Sequence, residues 1–308
     1  IYERKITTPS HFAYLKVSEG CNRSCSFCAI PMMTGRHKSR TIESLVMEAR
    51  YLAKKGVKEI LLIAQELSYY GIDIYGKSRL TDLINFISEI DGIEWIRLHY
   101  LYPTKFPYDI LPIMRENPKL CKYVDMPLQH IANPVLKNMM RHVTREETEA
   151  LIKRIKEEVP GVVLRTTMLV GFPGETVADY EELKAFIEEM KFERLGVFPF
   201  SNEDGTYAHK NFKDDVPEEE KQGRADEIME IQQQISADLN RQKVGKIMKV
   251  IIDKKEGEFY VGRTEFDSPE VDGEVLVTSA IDLKNGDFVD VKITGSEDYD
   301  LYGEVVLV

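Results

Sequence analysis

Cysteine is scarce in this chain: 308 residues hold four, and three of them lie close together at positions 21, 25 and 28. A disulfide framework needs pairs of cysteines spread along the chain, so this distribution excludes the small secreted folds that disulfides hold together. The sequence therefore predicts a protein of the reducing cytoplasm.

Long apolar runs are also missing. No stretch approaches the roughly 20 apolar residues that span a bilayer, and the chain opens on Ile1 without the basic and apolar segments of a secretory leader. These absences predict a protein without membrane attachment, and the start on Ile1 predicts further residues upstream. The formal net charge of −11 argues against a general nucleic-acid binder.

Short apolar runs alternate with amphipathic helical patterns over the first two thirds of the chain. The predicted strands are 13–19, 58–66, 95–103, 123–130, 162–173 and 194–201. The helices between them include 41–56, which opens with a Thr41 cap, and 176–191. Strand-helix units in series predict an α/β fold with a parallel sheet, either open or closed into a barrel. In a barrel, side chains at the carboxyl ends of the strands carry the chemistry.

The chain changes character after residue 216. Segment 217–243 is polar and glutamine-rich with Ile and Met at helical spacing, which predicts a connecting helix packed on one side. Short strands separated by Gly and Asp are then predicted at 246–253, 257–266, 273–279, 287–294 and 301–308. They indicate a small all-β barrel like an OB-fold. The predicted boundaries are 1–216 for the α/β domain, 217–243 for the connecting helix and 244–308 for the all-β domain.

The three clustered cysteines follow the first predicted strand with the spacing Cys-x3-Cys-x2-Cys. A structural zinc site takes four ligands, and a ferredoxin gives four thiolates to each cluster. The remaining Cys121 lies far along the chain and is interpreted as a small buried apolar residue. Three thiolates on a four-iron cluster leave one iron with an open coordination position, which a reaction centre needs and an electron carrier avoids.

The segment 18–31 resembles the signature of the radical S-adenosylmethionine (SAM) superfamily, with Phe27 as the aromatic residue before the third cysteine. The resemblance implies a partial (β/α)6, TIM-like barrel and a 4Fe-4S cluster on Cys21, Cys25 and Cys28. It also implies SAM bound at the open iron, with Phe27 near the adenine. One electron from such a cluster cleaves SAM to methionine and a 5′-deoxyadenosyl radical.

Further candidates lie at the ends of other predicted strands. Gln65 and Glu66 end the second strand, where the superfamily often places groups for the SAM amine, although a solvated strand end explains them nearly as well. Tyr102, Gln129 and His130 end the third and fourth strands and are candidates for facing the substrate. For His130, a hydrogen-bonded histidine at a strand end is the preferred interpretation.

The fifth strand and the turn after it hold another set of candidates. Gly171, Pro173 and Gly174 resemble the family's loop for the adenine and ribose of SAM, and Thr176 can cap the next helix. Arg165, earlier on the strand, is a further candidate for SAM binding. The sequence leaves open whether Arg165 points into the barrel or onto a helix.

The whole chain resembles the methylthiotransferases, in which a small C-terminal barrel called TRAM follows the radical SAM barrel. The motifs are CNRSCSFCAIP at 21–31, GRHKSR at 35–40, LVGFPGE at 169–175 and FSNEDGTYA at 200–208. The resemblance implies insertion of a methylthio group at an unreactive C–H bond. The substrate is either a tRNA adenosine or the β-carbon of an aspartate in small-subunit ribosomal protein S-twelve. RLHYLYP at 97–103 and DMPLQH at 125–130 resemble the ribosomal-protein branch.

The resemblance implies further cofactors and partners. It implies an upstream domain with three more cysteines and a second cluster that handles the sulfur, and an electron donor such as a flavodoxin or ferredoxin. Charge favours a protein substrate independently, because residues 246–308 hold seven Lys and Arg against fifteen Asp and Glu, a net charge of −8. An acidic domain repels RNA and attracts a basic ribosomal protein, although acids that only keep the domain soluble give the same count. The alternatives are a tRNA methylthiotransferase and a non-catalytic, metal-containing RNA-binding protein.

Overall fold

The structure, a computed structural model, describes residues 4–306. These residues form the strands β1 Phe12–Lys16, β2 Ser18–Glu19, β3 Lys38–Ser39, β4 Glu59–Ile63, β5 Trp95–Leu98, β6 Leu120–Asp125, β7 Val163–Val170, β8 Arg194–Pro199, β9 Ile247–Glu256, β10 Phe259–Thr264, β11 Val275–Thr278, β12 Phe288–Ser296 and β13 Leu301–Val305. They also form the helices α1 Ile30–Thr34, α2 Ile42–Lys54, α3 Ile72–Tyr75, α4 Leu80–Ser88, α5 Ile110–Glu116, α6 Asn133–Asn138, α7 Arg145–Glu158, α8 Val177–Met190, α9 Tyr207–Asn211 and α10 Glu218–Arg241. No helix in this described part is long and apolar enough to cross a membrane.

The first domain is built on a parallel sheet with the strand order β1-β4-β5-β6-β7-β8. Helices pack around it, so the central strands read as continuous apolar runs rather than alternating patterns. This confirms the predicted α/β class. The third and fourth predicted strands end earlier than expected, because Tyr100 has a positive φ of 62° and Pro127 cannot donate a ladder hydrogen bond.

The helix starts follow local rules that the sequence shows. The hydroxyl oxygen of Thr41 accepts a hydrogen bond from the backbone N–H of Ser44, as predicted. Thr176 caps α8 through a capping box with Asp179, and Thr144 caps α7 in the same way. The long helix α10 lies within the predicted 217–243 segment.

The C-terminal strands form a closed barrel in the order β10-β11-β13-β12-β9. Its core consists of apolar side chains that alternate along the strands, among them Val250, Ile252, Val291 and Ile293. This confirms the predicted small all-β domain. The last predicted strand reaches residue 308, and its final residues lie outside the described part of the chain.

The small barrel packs against the parallel sheet. Trp95 at the start of β5 contacts Phe288 of β12 edge-on, with ring centroids 4.8 Å apart. The segment 265–274, between β10 and β11, reaches the side chains of the parallel strands: Ser268 lies 3.0 Å from the imidazole of His99, and Asp267 pairs with Arg194. The two domains therefore share a buried polar interface.

A buried carboxylate joins the domains most directly. Glu59 at the start of β4 accepts hydrogen bonds from Arg97 of β5 at 2.8 Å and from Arg263 of β10 at 2.7 Å. Burial alone would raise the pKa of Glu59, but the two guanidinium groups more than offset this and lower it. Arg263 also pairs with Asp253 at 2.6 Å, so every charge in the group has a partner.

Candidate functional site

The main cavity of the first domain opens at the carboxyl ends of the parallel strands. It has a volume of about 400 Å³, and Cys21, Cys25 and Cys28 line it together. All three are half-buried free thiols. The loop that carries them follows β2, so the fold places the cysteines where strand-end side chains converge.

The cysteine loop is held by its own middle residue. The Ser26 hydroxyl donates to the backbone oxygen of Asn138 at 2.7 Å, and its backbone N–H donates to Met139 at 3.0 Å. The next residue, Phe27, packs edge-on against Phe172 with ring centroids 6.5 Å apart. These contacts fix the loop between the turn after α6 and the turn after β7.

The donor set fits an iron-sulfur cluster better than a single ion. Within residues 4–306, no group of three His, Cys, Asp or Glu side chains converges on one ion position. Thiolates of a four-iron cluster each bind a different iron, so they need not converge on one point. Burial raises the pKa of the Cys21 and Cys28 thiols, so metal binding is what would hold them as thiolates.

Tyr102 lies between the cysteines and two arginines. Its hydroxyl is 3.3 Å from Sγ of Cys25. The guanidinium groups of Arg23 and Arg141 lie 3.9 and 4.1 Å from the centre of its ring. Nη1 of Arg141 also donates to Sγ of Cys25 at 3.3 Å. Sγ of Cys25 therefore accepts a hydrogen bond from Arg141 and lies within hydrogen-bond distance of the Tyr102 hydroxyl. Burial raises the pKa of Tyr102, which keeps that hydroxyl protonated.

Gln65 and Glu66 line the same cavity and present acceptor oxygens to it. Oε1 of each is buried and has no hydrogen-bond partner among the described residues. The other oxygen of Glu66 pairs with Arg23 at 3.2 Å, and Nε2 of Gln65 donates to Glu19 at 2.6 Å. Burial raises the pKa of Glu66, although Arg23 opposes the shift. Two unpaired acceptors in one cavity fit a ligand that carries an ammonium group.

Arg165 and Gln129 also line the cavity, together with Phe27 and Tyr102. Arg165 thus points into the barrel rather than onto a helix. Its Nη1 pairs with Asp125 at 3.1 Å. Gln129 has a positive φ of 75°, a conformation that turns the chain at this strand end.

His130 does not face the cavity, which corrects its assignment as a substrate-facing residue. Its side chain is wholly buried, with Nε2 3.3 Å from the carboxylate of Glu175. Its Nδ1 accepts from the backbone N–H of Ala132 at 3.1 Å. The preferred interpretation, a hydrogen-bonded histidine at a strand end, is the one the structure supports.

The turn after β7 lies outside the cavity lining. The backbone N–H of Gly171 donates to Glu175 at 2.9 Å, and that of Gly174 donates to Asp215 at 2.9 Å. Gly171 has φ 73°, and a Cβ there would lie 2.2 Å from the Lys221 side chain, so the turn packs against the start of α10. A role in SAM binding for Gly171, Pro173 and Gly174 stays a prediction.

Sequence reasoning missed two functional candidates, Arg23 and Arg141. Arg23 sits between the cysteines, where an arginine is an ordinary loop residue. Arg141 lies just after α6, and nothing in its local pattern signals that it reaches Cys25 across 116 residues. Only the fold brings these side chains to the cavity.

Two family matches cover most of the chain. Residues 15–187 match the radical SAM superfamily, and residues 244–306 match the TRAM domain. The first match contains every residue that lines the cysteine cavity except Phe198, and the second contains the small barrel.

The chain is also similar to curated proteins over nearly its full length. It is 55% identical over 305 residues to the ribosomal protein uS12 methylthiotransferase RimO of Porphyromonas gingivalis, a match that covers 98% of this chain and 70% of that protein. It is 56% identical to the protein of the same name from Bacteroides fragilis, with 99% of this chain and 71% of that protein covered.

Solved structures share the fold at low sequence identity. Coproporphyrinogen III oxidase (HemN) from Escherichia coli, described as a radical SAM enzyme, matches with a TM-score of 0.55 and 16% identity over 86% of this chain and 68% of that one. The radical SAM methyltransferase TsrM from Kitasatospora setae matches with a TM-score of 0.52 and 20% identity over 65% of this chain and 38% of that one.

Proposed function

Because this chain belongs to the radical SAM superfamily and, within it, to the family of ribosomal protein uS12 methylthiotransferases named RimO, we propose that it transfers a methylthio group to ribosomal protein uS12. The target atom in this proposal is the β-carbon of an aspartate. The observation that carries the proposal is that three half-buried cysteines line one cavity together with Gln65 and Glu66, whose Oε1 atoms have no hydrogen-bond partner among the described residues.

One group of cavity residues would hold an iron-sulfur cluster, and a second group would bind SAM. Cys21, Cys25 and Cys28 would hold a 4Fe-4S cluster through their thiolates. When bound, the cluster supplies the electron that splits SAM into methionine and the radical that removes hydrogen from the substrate.

The chain's own residues bind and orient SAM. We assign Gln65 and Glu66 to its amine, because both residues line the cavity and the Oε1 atom of each has no hydrogen-bond partner among the described residues. Phe27 offers an apolar ring for the adenine. The guanidinium of Arg165 offers a donor group on the cavity wall. No general base is required for hydrogen abstraction, so the protein's main tasks are orientation and the exclusion of water.

The C-terminal domain gives weaker electrostatic support for a protein substrate than its total count of acidic residues suggests. From residue 246 to 306, seven acids and six bases are exposed, so the exposed surface is nearly balanced. Much of the acidic excess is buried or half-buried: Asp253, Asp267 and Asp272 each pair with an arginine. The assignment of uS12 therefore depends on family membership, and contact through the acidic C-terminal domain is part of the proposal.

The electron must come from outside the chain. We assign this role to a small carrier of the flavodoxin or ferredoxin type. The three cysteines are half-buried rather than deeply enclosed, and α1 directly after them has no buried residues. A carrier can therefore approach the cluster side of the cavity closely.

The proposal is tested with anaerobically reconstituted protein that also carries the upstream, sulfur-handling domain implied by the resemblance, together with SAM, sulfide and a reductant, and supplied with either uS12 or tRNA. We expect uS12 to gain the mass of one methylthio group in place of hydrogen, and tRNA to stay unmodified. Cys25→Ala serves as the inactive control. Modification of tRNA but not uS12 would favour the other branch of the family and refute the proposal.

A further inference from the structure

A second cavity lies between the domains. It has a volume of about 310 Å³, within the range of ligand-binding pockets. Its walls come from the start of β8, one face of α10, and the small barrel at Val271 and Tyr299. Those two rim residues are 57% and 43% exposed, so the cleft opens to solvent.

The wall from α10 is polar where a packed helix face would be apolar. Met229, Gln232 and Ser236 line the cleft at the three- and four-residue spacing of one helix face. Gln232 and Ser236 are only 1% and 2% exposed. The sequence shows this segment only as a glutamine-rich connecting helix.

Three buried polar atoms in this cleft have no hydrogen-bond partner among the described residues. They are Nε of Arg194, Oε1 of Gln232 and Oγ of Ser236. Nε2 of Gln232 donates to the backbone oxygen of Phe192 at 2.9 Å, which orients Oε1 away from that bond. The Arg194 guanidinium is likewise fixed, because it pairs with Asp267 and donates to Glu193 at 2.7 Å.

These atoms match the needs of a polypeptide backbone. A peptide group offers one N–H donor and one carbonyl acceptor. The carbonyl can accept from Nε of Arg194, the N–H can donate to Oε1 of Gln232, and the Ser236 hydroxyl can do either. Acids and bases both line the cleft: Asp272 is paired with Arg165, and the other charged residues are Glu193, Asp300 and Arg194. This leaves a small acidic excess, which is compatible with a segment that carries basic side chains.

The cleft adjoins the cysteine cavity. Arg165 lines both, and Leu195 and Gly196 of the edge strand β8 line the cleft beside it. A chain bound in the cleft therefore lies against Arg165, a residue that also forms part of the wall of the cysteine cavity. A small ligand would not need two cavities that share a wall. A protein substrate does, because its chain must be held in one place while one of its residues reaches the reacting site.

We propose that this cleft binds the backbone of the substrate protein, with Arg194, Gln232 and Ser236 as its hydrogen-bonding partners. The inference rests on the proposed function, since it takes the substrate to be a basic protein. It adds a docking site outside the cofactor cavity and gives α10 a role in substrate binding.

The test compares Gln232→Leu and Ser236→Leu with Gln234→Leu, which changes an exposed glutamine of the same helix. With the reconstituted holoenzyme and purified uS12, we expect KM for uS12 to rise about fivefold in each cleft variant, because a backbone group loses its partner. The control keeps the wild-type KM. If a leucine variant fails to fold, Ser236→Ala replaces it, with an expected rise of about twofold.

A second measurement does not depend on destabilising changes. A photo-crosslinking residue at Tyr299 should capture uS12, and the same residue at the exposed Phe86 on α4 should not. Folded cleft variants with the wild-type KM, or a Tyr299 position that captures nothing, would mean that the cleft holds only water. Wild-type protein that modifies tRNA instead of uS12 would refute the proposed function, and the docking site with it.

Discussion

Nε of Arg165 lies 3.5 Å from the carboxylate of Asp272, so a side chain of the small barrel supports a residue on the wall of the cofactor cavity. Asp125 of β6 holds the same guanidinium at 3.1 Å. The hydroxyl of Tyr123 fixes Asp272 in turn at 2.6 Å. The small barrel is therefore a structural part of the site as well as an appended domain.

Loss of the charge on Asp272 should weaken SAM binding. In Asp272→Asn, Arg165 keeps only Asp125 as an anionic partner and is held less firmly at the cavity wall. We expect the Kd of SAM to rise about threefold, equivalent to less than 1 kcal/mol for one partly buried ion pair. This Kd is measured by equilibrium binding of SAM to the reconstituted protein. Asp290→Asn, an exposed acid on β12, should leave the Kd unchanged, and equal values for the two variants would argue against this support.

Removal of the Glu59 charge should destabilise the joined domains. Glu59→Gln leaves Arg97 without a carboxylate in a fully buried position. Breaking a buried pair from one side costs about 3 kcal/mol in the free energy of unfolding. Denaturant unfolding measures this, with the exposed pair member Glu157→Gln as the control that should not change stability. A loss no larger than that of the control would contradict the role of Glu59.

The same carboxylate should give the stability a dependence on acid pH. The pKa of Glu59 is lower in the folded protein than its ordinary value of 4.5, so its contribution is fully present above about pH 4.5. That contribution is lost as the pH falls through the folded-state pKa. Between about pH 6 and 3, the free energy of unfolding should therefore fall more steeply with decreasing pH for the wild type than for Glu59→Gln. Parallel curves would show that Glu59 does not titrate in this way.

Cysteine substitutions should separate the cluster ligands from the remaining thiol. Cys25→Ala removes one of the three proposed cluster ligands, and we expect the reconstituted protein to lose most of its iron and sulfide. Cys121 is 1% exposed and packs with Trp95 and Tyr123, so Cys121→Ala should keep the full iron content. Its free energy of unfolding should fall by about 1 kcal/mol through lost packing. Iron loss in Cys121→Ala would refute its interpretation as a packing residue.

The parallel sheet could be predicted from the sequence because its strands are short apolar runs between amphipathic helices. The small barrel could be predicted because Gly and Asp separate its strands. The packing of the two domains against each other could not be predicted. It depends on single charged residues such as Glu59 and Arg97, which look in the sequence like solvent-exposed strand positions. Their partners are distant in sequence: Arg263 lies 204 residues from Glu59.

In the candidate site, too, local sequence patterns could be predicted and contacts between distant residues could not. The cysteine triplet is a local pattern, and its spacing identifies it. Gln65 and Glu66 reach the cavity because they follow β4, which ends at Ile63, and the sequence already places them at this end of the strand. Arg141 reaches Cys25 only through the fold, and His130 turns away from the cavity because Glu175 gives it a buried partner. A residue at a strand end can face either side, and the local sequence pattern does not show which.

The hydroxyl of Tyr102 should tune the cluster electronically. It lies 3.3 Å from Sγ of Cys25, and a donor to a ligating sulfur stabilises the more negative, reduced state of a cluster. Tyr102→Phe removes this donor while keeping the ring between Arg23 and Arg141. We expect the reduction potential to fall by roughly 40 mV, equivalent to about 1 kcal/mol in a one-electron couple.

A redox titration followed by electron paramagnetic resonance measures the shift from Tyr102→Phe. Tyr70→Phe is the matched control, because Tyr70 is also buried but its hydroxyl donates to the backbone oxygen of Arg40. A packing defect would lower the stability of both variants without moving the potential, whereas loss of a sulfur donor moves the potential of one. If Tyr102→Phe keeps the wild-type potential, the hydroxyl does not act on the cluster, and Arg141 is left as the donor to Cys25.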